Sequence, residues 1–163
     1  MPPVSSAALL ATIARVVTRA SSLADLLSEV APTLHAHVPF ERLHLLRLDR
    51  TDSVVLYAVG ADGALAVTEH VIGDPTAAVP SVQDGSGPRM MATVAQGARI
   101  QGVVWLTTSD PAALPSDTQE VIDTLADLLA LALDRDTQRV VEGRRRERID
   151  ALVRLLNIVA EAL

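Results

Sequence analysis

Residues 42–59, RLHLLRLDRTDSVVLYAV, decide the fold. Two strand-like runs, Arg42 to Asp49 and Ser53 to Val59, flank Arg50-Thr51-Asp52, a polar spacer short enough for a hairpin turn. A third run, Ala64 to Val71, follows the Gly60-Ala61-Asp62-Gly63 turn, so three antiparallel strands succeed one another as a meander.

C-terminal to the meander, residues 73–88 (GDPTAAVPSVQDGSGP) lose all periodicity and fill with Gly, Pro, Ser and Asp, which reads as a loop. Strands return as RMMATVA (89–95) and RIQGVVWLT (99–107). They are joined by Gln96-Gly97-Ala98, with glycine where a tight turn needs positive φ. Gly102 within the last strand suggests a bulge or close packing against a helix. Ser116 followed by Gln119 fits a capping box, so a helix is expected from about Asp117, with Val121, Ile122, Leu125, Leu128, Leu129, Ala132 and Leu133 on its apolar face. The periodicity weakens over 134–148 and returns in Ile149, Leu152, Leu156, Val159 and Leu163, spaced as a heptad seam.

N-terminal to the meander, Leu9, Ile13, Val16 and Val17 recur at helical spacing behind Ser5 and Ser6. Ser22 caps a second helix carrying Leu23, Leu26, Leu27, Val30 and Leu34, which ends before Pro39; Pro32 inside it predicts a kink or a split. Helices, strands, loop, strands and a long helix add up to an α+β domain: an antiparallel sheet of about five strands with the N- and C-terminal helices packed on one face. The expected division is a domain over 1–136 and a helical connector over 137–163.

Composition bounds the chemistry. The chain has 163 residues, about half apolar, enough for one core, and no apolar run approaches a membrane span. The N-terminus is a poor secretion signal, with Arg15 inside its apolar stretch, so a soluble cytoplasmic protein is expected. There is no cysteine, which removes disulfides, thiolate metal sites, cysteine nucleophiles and thioether-linked chromophores. A net charge of −6 argues against electrostatic nucleic-acid binding; the RRRER run at 144–148 is interleaved with Glu142, Glu147 and Asp150 and reads as a solvated helix. All 14 basic residues are arginine, and Phe40, Tyr57 and Trp105 are the only aromatics.

Two stretches carry a family resemblance. LADLLSEVAPTLHAHVPFERLHLLRLDRTDSVVLYAV (23–59) resembles the opening of a GAF domain, and ARIQGVVWLTTSDPAALPSDTQEVIDTLADLLALAL (98–133) resembles its closing strand, loop and helix. The resemblance implies a sensory module of bacterial signalling proteins and enhancer-binding transcriptional activators, with no catalysis of its own. This chain departs from the family in the middle, where a ligand-covering lid of short helices shrinks to residues 73–88. The cyclic-nucleotide signature, the phytochrome-type chromophore cysteine and the redox cysteines of other branches are missing as well.

His35, His37, His44 and His70 are the only histidines; without cysteine they make no closed zinc site, no metal is expected, and a haem reading has little to stand on. The ligand itself stays unknown. No Gly-x-Ser-x-Gly turn accompanies the Ser, Asp and His residues, Asp123 and Asp127 read as a solvated face, and DGSGP (84–88) lacks the Lys-Ser or Lys-Thr of a phosphate loop. The candidate pocket residues are His44, Leu46, Tyr57, Met90, Thr93 and Trp105, chosen as strand residues with polar or adaptable side chains. The expected function is a regulatory module that homodimerises through its terminal helices and relays a small-ligand or partner signal along the last helix. The alternative is a degenerate GAF fold serving only as a dimerisation spacer. Residues 152–163 also echo the apolar phasing of residues 9–20, with Leu152 over Leu9 and Leu156 over Ile13, as though a second module began there within a longer protein.

Overall fold

The computed structural model describes residues 5–48, 53–71 and 90–161. The expected loop over 73–88 and the turn at 50–52 lie outside them.

Helix α1 spans Ser6–Arg19, and the Ser5 hydroxyl accepts from the Ala8 amide at its start. Its buried residues are the expected stripe of Leu9, Ile13, Val16 and Val17. Helix α2 spans Leu23–His35 behind Ser22, whose hydroxyl accepts from the Asp25 amide at 3.1 Å. Capping of this kind is worth about 1 kcal/mol because it satisfies an amide that has no partner within the helix. Pro32 does not split α2, which runs unbroken to His35. The proline still removes the N–H that would have bonded the Ser28 carbonyl. Gly63 covers that carbonyl: a Cβ at this position would lie 2.7 Å from the Ser28 oxygen, and φ is +84°.

The sheet comprises β1 (Arg42–Leu48), β2 (Ser53–Gly60), β3 (Leu65–Val71), β4 (Met90–Gln96) and β5 (Arg99–Thr107), all antiparallel, in the order β3-β2-β1-β5-β4. The quoted opening strand therefore becomes the centre of the sheet. Gly97 in the β4–β5 turn takes φ +58°, as the turn requires. Gly102 answers to two constraints: the β4–β5 register slips beside it, between Val94 and Ala95, leaving Gln101 unpaired on β4, and a Cβ there would lie 2.1 Å from the Leu46 carbonyl oxygen of β1. The close neighbour is a strand, not a helix.

A 3₁₀ turn at Pro111–Ala113 leads to α3, which runs from Thr118 to Glu161. The expected Ser116–Gln119 capping box is not what starts it. Gln119 donates its amide to the Met91 carbonyl (3.1 Å) and to Asp123 (2.8 Å), tying the helix to β4, while the Asp117 carbonyl accepts from the Val121 amide.

All three helices lie on one face of the sheet. Helix α2 packs on β2 and β3, α3 on β4 and β5, and α1 on both helices. Leu43, Leu45, Val59, Val94, Val104 and Leu106 meet the helix stripes there, and Phe40 is the one aromatic fully within this core. Each such aliphatic side chain contributes about 1.5–3 kcal/mol by leaving water, which an aromatic-poor sequence must gather from many small terms.

Candidate functional site on the outer face of the sheet

Directly paired residues in a sheet point to the same side, so the register sorts the candidate pocket residues. One row reads Met91, Trp105, His44, Ala58, Ala66 across all five strands, and the next reads Thr93, Val103, Leu46, Leu56, Thr68. Both alternate with Leu43 and Leu45 of the core, so they form the face away from the helices. His44, Leu46, Thr93 and Trp105 stand together on that outer face. Tyr57 and Met90 do not: they pair in the rows of Leu45 and Leu43 and pack against the core.

At the centre of this face the His44 imidazole stacks on the Trp105 indole, with ring centroids 4.9 Å apart and planes 7° from parallel. Trp105 is only 8 % exposed, and Val54 on the same face is 2 % exposed, yet neither belongs to the core cluster beneath the helices. The sheet thus has apolar burial on both sides. Leu46 and Leu56 are half-buried beside the stack, and the Thr93 hydroxyl stands on the exposed edge strand. Such a surface offers an apolar floor, one flat stacked pair and a few hydrogen-bonding groups, which suits binding.

By sequence, no family model and no curated protein matches the chain. Its shape does find matches. The GAF domain of A. aeolicus nlh2, in an inactive state, superposes with a TM-score of 0.54 at 12 % identity, over 80 % of this chain and 96 % of that one. A phycocyanobilin-bound GAF domain from a cyanobacterial phytochrome gives 0.54 at 10 % identity over 83 % and 97 %, and a phycoerythrobilin-bound one gives 0.51 at 10 % over 79 % and 94 %. The chain has the GAF fold.

Within this GAF fold a second polar cluster joins the helix ends. Asp117, just before α3, accepts a hydrogen bond from the Ser6 hydroxyl at the start of α1 and lies 3.2 Å from His37 Nε2, which follows α2. The Ser6 hydroxyl first, and then His37, hold the Asp117 carboxyl below the usual carboxylate range. Serine, histidine and aspartate are all present, but the carboxylate sits between the other two. A hydrolytic triad needs the imidazole against the hydroxyl to take its proton, and this order does not provide that. The cluster ties three helix ends together. Among the described residues there is no group of three or more potential metal ligands, and no helix is long and apolar enough to cross a membrane.

The last helix leaves the sheet without a break. Among the described side chains, the last buried one is Leu133. Polar arms continue the attachment: Arg135 donates to the Val17 carbonyl (3.2 Å), Arg47 pairs with Asp136 (2.8 Å), and Arg139 donates to the Ser21 carbonyl (2.8 Å). From Gln138 to Arg154 every residue is exposed, including Ile149, Leu152 and Val153. Leu156 and Val159 lie within the helix, and Leu163 lies outside the described residues. Sequence reasoning missed Asp117, Arg135 and Arg139 as organising residues, since their partners are some 80 to 118 positions away and those of the two arginines are backbone carbonyls.

Proposed function

We propose that this chain is a regulatory sensory module of a bacterial signalling or transcription-regulating protein, cytoplasmic and without catalytic activity. Residues 1–136 form the sensing domain and 137–163 the connector, which pairs with a second copy through the terminal helices. A small ligand or partner acts on the outer face around His44, Leu46, Thr93 and Trp105. The observation that carries this reading is α3 itself: one helix buried against β4 and β5 as far as Leu133 continues to Glu161, so any shift of the sheet or its ligand is felt along a rigid rod. The GAF neighbours that bind bilins support a ligand-receptive fold, although a thioether-linked chromophore is impossible without cysteine.

A ligand that binds only the folded state raises its melting temperature, by an amount set by concentration over Kd. A thermal-shift screen across nucleotides, amino acids, organic acids and tetrapyrroles should yield a stabilising compound whose effect disappears in Trp105→Leu. No shift with any class, in a protein that nonetheless dimerises, would sink the sensory half and leave the dimerisation spacer.

A further inference from the structure

A groove of about 320 Å³ opens at the other end of the molecule, where α3 leaves the sheet. Its position is distinct from the outer face: β1 and β5 form one wall through Arg47, Arg99, Ile100 and Gln101, and α3 the other through Val141 and Arg144. Among the described residues the lining contains three arginines and no acidic residue, in a chain whose net charge is −6. Arg47 is neutralised by Asp136. Arg99 and Arg144 form no ion pair among the described residues, so two guanidinium groups flank the groove, with Asp134 and Glu142 lining the adjoining cleft beside Arg99. Between them the wall is apolar and exposed: Ile100 is 56 % and Val141 50 % accessible. Ile100 and Val141 give the groove an exposed apolar strip between the two guanidinium groups.

We infer that this groove binds a small amphipathic anion, an organic acid with a short aliphatic tail. The carboxylate takes the Arg99 and Arg144 forks, and the tail lies along Ile100 and Val141. The volume matches the lower end of small-molecule sites, roughly 300–1,000 Å³. Charge decides the class. An uncharged hydrocarbon would leave the arginines without a partner, and a bare inorganic anion would leave the apolar wall wet. The bulge leaves Gln101 outside the β4–β5 ladder, beside the groove it helps line. Such a ligand would bridge the sheet to α3 about two turns beyond the buried Leu133. It would therefore bias the direction in which the connector leaves the domain, by as much as it prefers the bridged arrangement. This inference stands apart from the outer-face reading and survives the failure of that reading.

Calorimetric titration of the full chain with octanoate, octanamide and inorganic phosphate tests it. Octanoate should bind saturably, octanamide and phosphate at least about tenfold more weakly, as expected for losing charge-assisted hydrogen bonds or the apolar contact. The Arg99→Gln/Arg144→Gln double variant, altered only at exposed positions, should lose octanoate binding by a similar factor with an unchanged melting temperature. Trp105→Leu should leave octanoate binding intact. Equal binding of octanamide, retained binding in the double arginine variant, or loss in Trp105→Leu would each overturn the inference. So would a double variant that changes the sedimentation mass while wild-type protein binds no octanoate, which would make the groove a contact between copies.

Discussion

Gly63 and Asp117 show how single residues hold distant elements in place. Gly63 combines a left-handed backbone with the only surface flat enough to lie on the Ser28 carbonyl. Gly63→Ala should cost about 1–3 kcal/mol, read as a lower urea midpoint at unchanged slope, because the new methyl meets both the strained φ and the carbonyl. Asp117 makes a prediction about pH. Its folded pKa is lowered from 3.8, so the stability it contributes is fully present above that value and is lost as pH falls through the depressed folded value. Urea melts of wild type and Asp117→Asn should differ at neutral pH and converge below pH 3.8. A gap of constant size down to the acid limit would mean that the carboxylate charge is irrelevant to the cluster.

Among the elements, α2 and α3 are where reading and structure part most usefully. Pro32 is exposed in the interior of a helix it neither splits nor ends, because the Ser22 cap, the stripe from Leu23 to Leu34 and the packing on β2 and β3 outweigh one lost hydrogen bond. Replacing it with alanine should raise stability by about 1–3 kcal/mol, somewhat less than the full proline penalty, since the unfolded chain gains freedom. A lower melting temperature in Pro32→Ala would show that the ring itself packs against the Gly63 turn. Helix α3 presents Ile149, Leu152 and Val153 to solvent, and the proposed dimer would cover them. Ile149→Asp/Leu152→Asp should halve the sedimentation mass while the domain retains its cooperative melt. An unchanged mass would remove this seam from the interface. Arg145 stands seven residues before Leu152 in the same seam, so a parallel pairing would oppose like charges there and tighten with salt.

At the scale of the whole molecule, the two faces of the sheet divide the labour: one is sealed by helices, the other carries the His44–Trp105 stack. A ligand on the stack should quench Trp105 fluorescence, and the variant His44→Ala should weaken that response; quenching that persists unchanged in His44→Ala would place the ligand elsewhere. The sequence by itself determined the order of the helices and strands, because caps such as Ser22, turns such as Gly97 and the apolar stripes of the helices are local signals written within a few residues. It also determined that the sheet is antiparallel and that the helices share a face. Which way each strand faces was not local. RLHLLRL places leucine on both sides of β1, so alternation alone could not separate Leu46 from Leu45 or exclude Tyr57 and Met90 from the outer face. Only packing the helices onto Leu43 and Leu45 chose the core side. The Asp117 cluster, the arginine arms of α3 and the groove at Arg99 and Arg144 likewise depend on contacts between residues far apart in the chain, which have no periodicity to betray them and exist only once the tertiary structure has brought their partners together.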